Sequence, residues 1–308
     1  MRYAISIPQF YADGAFDPAA FRAYFARAES FGCYESAWAQ EMTLGESPQL
    51  SPLETMTYAA AVSSTLRLGC TVFVSTLHSP VHLAKSLATL DQLSQGRLEI
   101  GVGTGGPQRP FAAFGVDGSR YVARFAEGVR LMQALWTQER VTFDGEFWQL
   151  TNAAMEPKPL QKPYPRLWFG ASGESALRRA VRLGDGFFGA GSSTLPAFSS
   201  QVSVIRDALA AAGRSAADFP IAKRFYVTID SDAARARQRM NAELEKLYGR
   251  RVPSIEEAAV AGTVFDVVAA VRAAASAGAE RILFTPLHDV PEHMEQIATE
   301  VIPRLDLG

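Results

Sequence analysis

The stretch GRLEIGVGTGGPQRP, Gly96 to Pro110, holds a literal G-x-G-x-x-G at Gly101, Gly103 and Gly106, directly after an apolar run with strand character. The dinucleotide fingerprint of a doubly wound α/β sheet places glycines in that way. In a doubly wound sheet the third glycine opens a helix whose N-terminus receives a pyrophosphate, and an acidic residue about 20 positions on ends the next strand. Neither follows here. Pro107 and Pro110 interrupt any helix, and YVARFAEGVRLMQALW (121–136) has helical spacing where the second strand belongs. The glycines therefore mark a strand end of another kind. Either they let a flat ligand approach bare backbone, or they form a tight corner that tolerates only small residues.

Reading outward, β-rich runs recur at RYAISIP (2–8), CYESAWA (33–39), LRLGCTVFVS (66–75), RLEIGVG (97–103), RLWFGA (166–171), GFFGAG (186–191), IAKRFYVTI (221–229) and RILFTPL (281–287). Most are nearly continuous in apolar residues, as parallel strands covered on both faces are. Helical patterns fall at 17–31, 52–64, 79–95, 118–137, 174–183, 195–212, 232–248 and 263–277. Asp17-Pro18, Ser51-Pro52 and Ser79-Pro80 read as helix starts, and Gly32, Gly96, Gly184 and Gly278 follow helix ends. Eight βα units predict a single α/β domain over 1–308, a closed (β/α)8 TIM barrel, with the doubly wound open sheet as its rival. The fourth and fifth strands stand far apart, so an insertion after strand 4 occupies 104–165. It contains a hairpin, VTFDGEFWQL, with Asp144-Gly145 expected as a type I′ turn. The proline-rich EPKPLQKPYPR (156–166) then returns the chain to strand five.

With 30 basic and 32 acidic residues the formal net charge is −2. No basic run points to nucleic acid. The N-terminal MRYAISIPQFYADG has too short an apolar run for a signal peptide, and no segment approaches the roughly 20 apolar residues of a membrane span. A cytoplasmic location without a membrane partner is expected. The two cysteines, Cys33 and Cys70, sit in apolar runs and read as small buried hydrophobes rather than a disulfide or thiolate site.

In a barrel the chemistry lies at the C-terminal strand ends. After strand five comes GASGES (170–175), where Ser172 is expected to cap a helix, and after strand six GAGSST (189–194). Two neighbouring loops rich in free N–H groups and hydroxyls suit an anion such as a phosphate. Trp38, Gln40 and Glu41 close strand two as candidates to line the pocket by stacking or hydrogen bonding. His78 and His82 stand at i, i+4, but a helix starts between them and no further ligand clusters nearby, so no metal is expected. G-x-S-x-G and H-E-x-x-H are absent from the sequence.

The motifs LRLGCTVFVSTLHSPVHLAKSLATLDQLSQGRLEIGVGTGG (66–106), AFGVDGSRYVARFAEGVRLMQALWT (113–137), VTFDGEFWQL, EPKPLQKPYPRLWFGASGESALRRAVRLGDGFF (156–188) and AGAERILFTP together resemble the luciferase-like monooxygenase family. The resemblance spans almost the whole chain. It implies a TIM barrel that binds FMN or the deazaflavin coenzyme F-420 for monooxygenation or hydride transfer on a small organic substrate. Its partners would be that substrate and the reduced coenzyme, with room for a homodimer. Position by position, Thr71 and Val72 match a non-prolyl cis peptide and bulge under the coenzyme ring. Thr104 matches a coenzyme contact of deazaflavin members and tips the choice toward F-420. Gly170, Ala171 and Ser172 with Gly189, Ala190 and Gly191 match the phosphate loops, and Glu41 an acidic position after strand two. His78 joins the pocket candidates. Met42 and Gly106 depart from the histidine and glutamate of related deazaflavin dehydrogenases, which removes that acid/base pair. Two other readings stay open: a flavin-binding barrel without turnover, and a sugar-phosphate aldolase or isomerase with Lys223 at strand seven.

Overall fold

The computed structural model describes residues 1–11 and 15–306. In chain order the regular elements are β1 (Arg2–Ser6), α1 (Pro18–Phe31), β2 (Tyr34–Ala39), α2 (Pro52–Val62), β3 (Arg67–Val74), α3 (Pro80–Leu93), β4 (Leu98–Gly103), α4 (Tyr121–Thr137), β5 (Val141–Asp144), β6 (Gln149–Ala153), β7 (Leu167–Phe169) and α5 (Glu174–Leu183). There follow β8 (Gly186–Gly189), α6 (Leu195–Ala211), β9 (Ile221–Ile229), α7 (Ala233–Tyr248), α8 (Pro253–Ala258), β10 (Val260–Gly262), α9 (Val264–Ser276), β11 (Arg281–Pro286), α10 (Val290–Gln296) and, after a π turn (Ile297–Val301), α11 (Ile302–Asp306).

Strands β1, β2, β3, β4, β7, β8, β9 and β11 pair side by side in that order, all parallel, and β11 pairs back onto β1. The sheet is thus a closed eight-stranded barrel, the expected TIM architecture. The fourth-strand insertion is also present, with β5 and β6 forming an antiparallel pair outside the barrel.

Two details differ from the sequence reading. The pattern at 263–277 is α9, which precedes the last barrel strand, and the helix after that strand is α10, starting at Val290. The interval between β9 and β11 therefore holds a second insertion, α7–α8–β10, whose short strand adds to the edge of β9. The hairpin turn also differs. Gly145 to Trp148 form a four-residue loop, Gly145 is absent from the positive-φ glycines, and the buried Glu127 carboxylate accepts the N–H groups of Glu146, Phe147 and Trp148 at 3.0, 2.9 and 3.1 Å. A Cβ at Gly145 would collide with that carboxylate, so the glycine answers to Glu127 and not to a type I′ turn.

Alternation along the strands sorts the core into two layers. Outward residues such as Ile5, Ile100, Phe187 and Phe225 meet the helices. Inward, Trp38, Trp168, Phe188 and Leu283 fill the middle of the barrel. At its N-terminal end Glu99 accepts from Arg281 (2.6 Å), Arg67 (2.7 Å) and the Trp168 indole (2.6 Å). Burial opposes ionisation of Glu99, but the two guanidiniums outweigh it and hold its carboxyl below the usual range. This charged plug closes the N-terminal end of the barrel.

Candidate functional site

At the C-terminal mouth β3 carries a register shift between Cys70 and Phe73 against β4, and the Thr71-Val72 peptide is cis. The half-buried Val72 side chain stands in the mouth. A Cβ at Gly103 would lie 2.8 Å from Val72 Cγ2, and one at Gly170 would lie 3.0 Å from its Cγ1. At Gly101 a Cβ would collide with the Cys70 carbonyl oxygen and come within 3.4 Å of Val72. The glycines of GVG therefore answer to the bulge: they leave room for Val72, and Val72 is what the mouth presents. Gly105 and Gly106 have positive φ, 79° and 74°, and turn the chain out of β4.

Most of the expected site residues gather around this bulge. Glu41 accepts the Val74 N–H at 2.5 Å and bonds His78 Nε2 at 2.7 Å, which fixes the end of β3 against the end of β2. Among the described residues His78 Nδ1 has no partner. The Thr76 hydroxyl donates to the Thr104 carbonyl at 3.1 Å, while the Thr104 hydroxyl has no protein partner among the described residues. Gln40 Oε1 accepts from Arg224 at 2.8 Å. Trp38 does not line the mouth: it is fully buried in the barrel core, its indole turned back to Ser36 Oγ at 2.9 Å and packed edge-on to Trp168 and Phe188. The inward position on β2 sends its large ring down the axis, and Gly69 leaves the room for it.

The loops after β7 and β8 keep their N–H groups open. Among the described residues no protein acceptor meets the N–H of Ala171, Ser172, Gly173, Gly191 or Ser192. The N-cap of α5 is Gly173 and no side chain caps it, so Ser172 is not the cap that was expected. Lys223 Nζ donates to the carbonyls of Ala190 (2.5 Å) and Ser193 (2.7 Å) from the helix side of β9, beside Phe198 and Phe225. A trans peptide sets its N–H opposite its C=O. Pulling the Ala190 carbonyl toward the helix layer thus turns the Gly191 N–H toward the mouth. Burial, and then Arg224, lower the Lys223 ammonium to about 7. Because Lys223 faces away from the barrel axis, it cannot serve as a Schiff-base lysine in the mouth, and the aldolase reading loses its residue.

Beside the bulge a cavity of about 720 Å³ opens at the ends of β1 and β11, with Ser6, Gln9, Gln40 and Thr285 among its polar lining and Phe21, Tyr24 and Leu247 among its apolar lining. Gln40 joins it to the bulge. Sequence reading missed Arg224, Tyr226 and Tyr248, which link in series across the mouth (Arg224 Nη2 to Tyr226 Oη 2.9 Å, Tyr226 Oη to Tyr248 Oη 2.8 Å). The adjacent basic pair in an otherwise apolar strand was the available signal. It also missed His288, Asp289 and His293, whose donor atoms lie within 4.8 Å of one another. There, however, His293 Nε2 accepts the Ile229 N–H, its Nδ1 bonds the Asp289 carbonyl, and Arg239 takes the Asp289 carboxylate, so the set has no free imidazole from His293 for a metal.

The luciferase-like monooxygenase family profile matches residues 1–281. The chain belongs to the luciferase-like monooxygenase family. Among relatives in this family, an F420-dependent glucose-6-phosphate dehydrogenase of Kineococcus radiotolerans is 29% identical over 281 residues, 83% of this chain and 82% of that protein. An FMNH(2)-dependent dimethylsulfone monooxygenase of Pseudomonas putida is 34% identical over 140 residues, 44% of this chain and 38% of that protein. The matches to the first curated relatives span 58% of those proteins' length. In structure, the monooxygenase RslO1 of Streptomyces bottropensis superposes with a TM-score of 0.85 over 99% of both chains at 24% identity, which shows the shared fold. No helix among the described residues is long and apolar enough to cross a membrane.

Proposed function

We propose that this chain is an oxidoreductase that holds a flavin-type coenzyme, F-420 or FMN, across its barrel mouth and a small organic substrate in the adjoining cavity. The observation that carries the reading is the bulge that presents Val72 at the mouth, flanked by two loops with unpartnered N–H groups. The residues fit such a group at both ends. Thr71 and Val72 offer an apolar face to a flat ring, and the unpartnered Thr104 hydroxyl a hydrogen bond at its edge. Ala171, Ser172 and Gly173, with Gly191 and Ser192, offer backbone donors to phosphate, strengthened by the positive end of α5, while the Gly170 N–H is held by the Val102 carbonyl at 3.0 Å. When bound, the coenzyme supplies the electron-transfer chemistry, and the protein's part is to orient, exclude water and handle protons. Glu41 orients His78 through Nε2 and leaves Nδ1 open, the arrangement of a positioned acid or base. The Thr104 hydroxyl favours F-420, and the names of relatives in the family support both coenzymes.

Titration of the ligand-free protein with FMN and with F-420 in parallel, followed by fluorescence, tests this. Saturable binding of at least one is expected, tighter for F-420. Binding of neither would refute the reading, and tight binding without turnover of any reductant or oxidant would favour a binding barrel instead.

A further inference from the structure

Alternation along β9 turns Ala222, Arg224 and Tyr226 toward the barrel axis and Lys223 and Phe225 toward the helices. Arg224 is 9% exposed and crosses the mouth from the seventh barrel strand to the third. Its Nη1 donates to Gln40 Oε1 and lies 3.5 Å from the Thr71 carbonyl, and its Nη2 donates to Tyr226. Each of those acceptors is neutral. Nε is buried without a partner, and no carboxylate lies within ion-pair distance among the described residues. By contrast, Arg281 at the opposite end of the barrel is held by Glu99 (2.6 Å) and Glu35 (3.1 Å). The contrast matters because a buried cation without a counter-ion is costly, and a guanidinium cannot shed its charge as a lysine can. The mouth therefore keeps at the bulge a buried positive charge that no carboxylate pairs directly among the described residues, the Glu41 carboxylate there being bonded to the Val74 N–H and to His78.

We propose that Arg224 pairs with the negative charge of the reduced FMN ring and so makes the site favour reduced FMN over oxidised FMN. This rests on the coenzyme reading above. The oxidised FMN ring is neutral, whereas its two-electron reduced form is an anion near neutral pH, with the charge on the pyrimidine end. A phosphate is the other anion at hand, but it is present in both redox states. A cation serving the phosphate would strengthen both states alike, so comparison of the two states separates the sources.

The test is anaerobic titration of the parent, Arg224→Met and Arg224→Lys with oxidised and photoreduced FMN. Arg224→Met should lose about 10- to 100-fold more affinity for the reduced form than for the oxidised form. Each tenfold of that difference lowers the midpoint potential of bound FMN by about 30 mV for a two-electron couple. Arg224→Lys, which keeps the charge, should recover most of the difference. If Arg224→Met does not fold, Arg224→Gln, which can still bond Tyr226 and Thr71, gives the same readout. Equal losses in both states, or no loss in either, would overturn the proposal. A parent that binds neither FMN state also overturns it, and its F-420 titration then shows whether the coenzyme reading falls too.

Discussion

If the GVG glycines exist to accommodate Val72, filling one of them must damage the fold through Val72 itself. Consider Gly103→Ala. The added Cβ would sit 2.8 Å from Val72 Cγ2, about 1 Å inside an ordinary carbon contact. Overpacking of this size costs about 1–3 kcal/mol. Val72→Ala alone removes two half-buried methyl groups, at about 1 kcal/mol. In the double variant the clash has no second partner, so the two changes should couple favourably by about 1–3 kcal/mol, beyond the roughly 0.5 kcal/mol within which independent sites add. The smaller unfolded-state entropy of alanine affects both Gly103 comparisons equally and drops out of the cycle. Urea unfolding of the four proteins, with unchanged m values, measures the coupling. Coupling below about 0.5 kcal/mol, or a Gly103→Ala variant as stable as the parent, would refute the reasoning and return the glycines to ligand access.

Thr104→Val should leave stability unchanged, because the hydroxyl has no protein partner among the described residues, yet weaken coenzyme binding up to about tenfold; equal affinity for both coenzymes in parent and variant would make Thr104 merely a small residue at a strand end. Glu127→Gln keeps the shape of the side chain but not the charge that receives three N–H groups, and should cost about 1.5–3 kcal/mol in urea unfolding, with faster exchange of the Glu146, Phe147 and Trp148 amides. An unchanged midpoint and unchanged exchange would contradict that role. His293 is lowered from 6.5, chiefly by burial, and so stays neutral in the folded chain while the unfolded chain takes up a proton. Its contribution is present above pH 6.5 and is lost as pH falls from there through the lower folded value. The thermal midpoint should therefore decline over that window in the parent and decline less in His293→Gln; parallel profiles would exclude His293 as the cause.

The barrel was legible because its strands are nearly continuous apolar runs and its helices start at residues such as Asp17, whose carboxylate does accept the Ala19 and Ala20 N–H groups at 2.8 and 3.0 Å. The last helix was not, since DVPEHMEQIATEVIPRL carries Pro291 and Pro303 and passes through a π turn between α10 and α11. β10 is three residues long and has no periodicity to read. For the site, glycine and hydroxyl loops could be placed at strand ends from the order of elements alone. Facing could not: every residue of β9 is buried, so nothing in IAKRFYVTI tells which of Lys223 and Arg224 looks into the barrel. Only pairing of Lys223 with Gly189 and Ile282 fixes that phase. Trp38 failed for the same reason, as a residue next to the polar Gln40 and Glu41 still sends its ring into the core.

The central claim is that a flavin-type coenzyme lies across the mouth, against the β3 bulge and the loops after β7 and β8. Amide hydrogen exchange, compared between the free protein and the protein saturated with whichever coenzyme it binds, tests this most directly. Added protection is expected at 71–76, 104–106, 171–175 and 190–194, with the charged plug around Glu99 and the hairpin β5–β6 unchanged. Protection confined to other parts of the chain, with these four segments exchanging as in the free protein, would contradict the account.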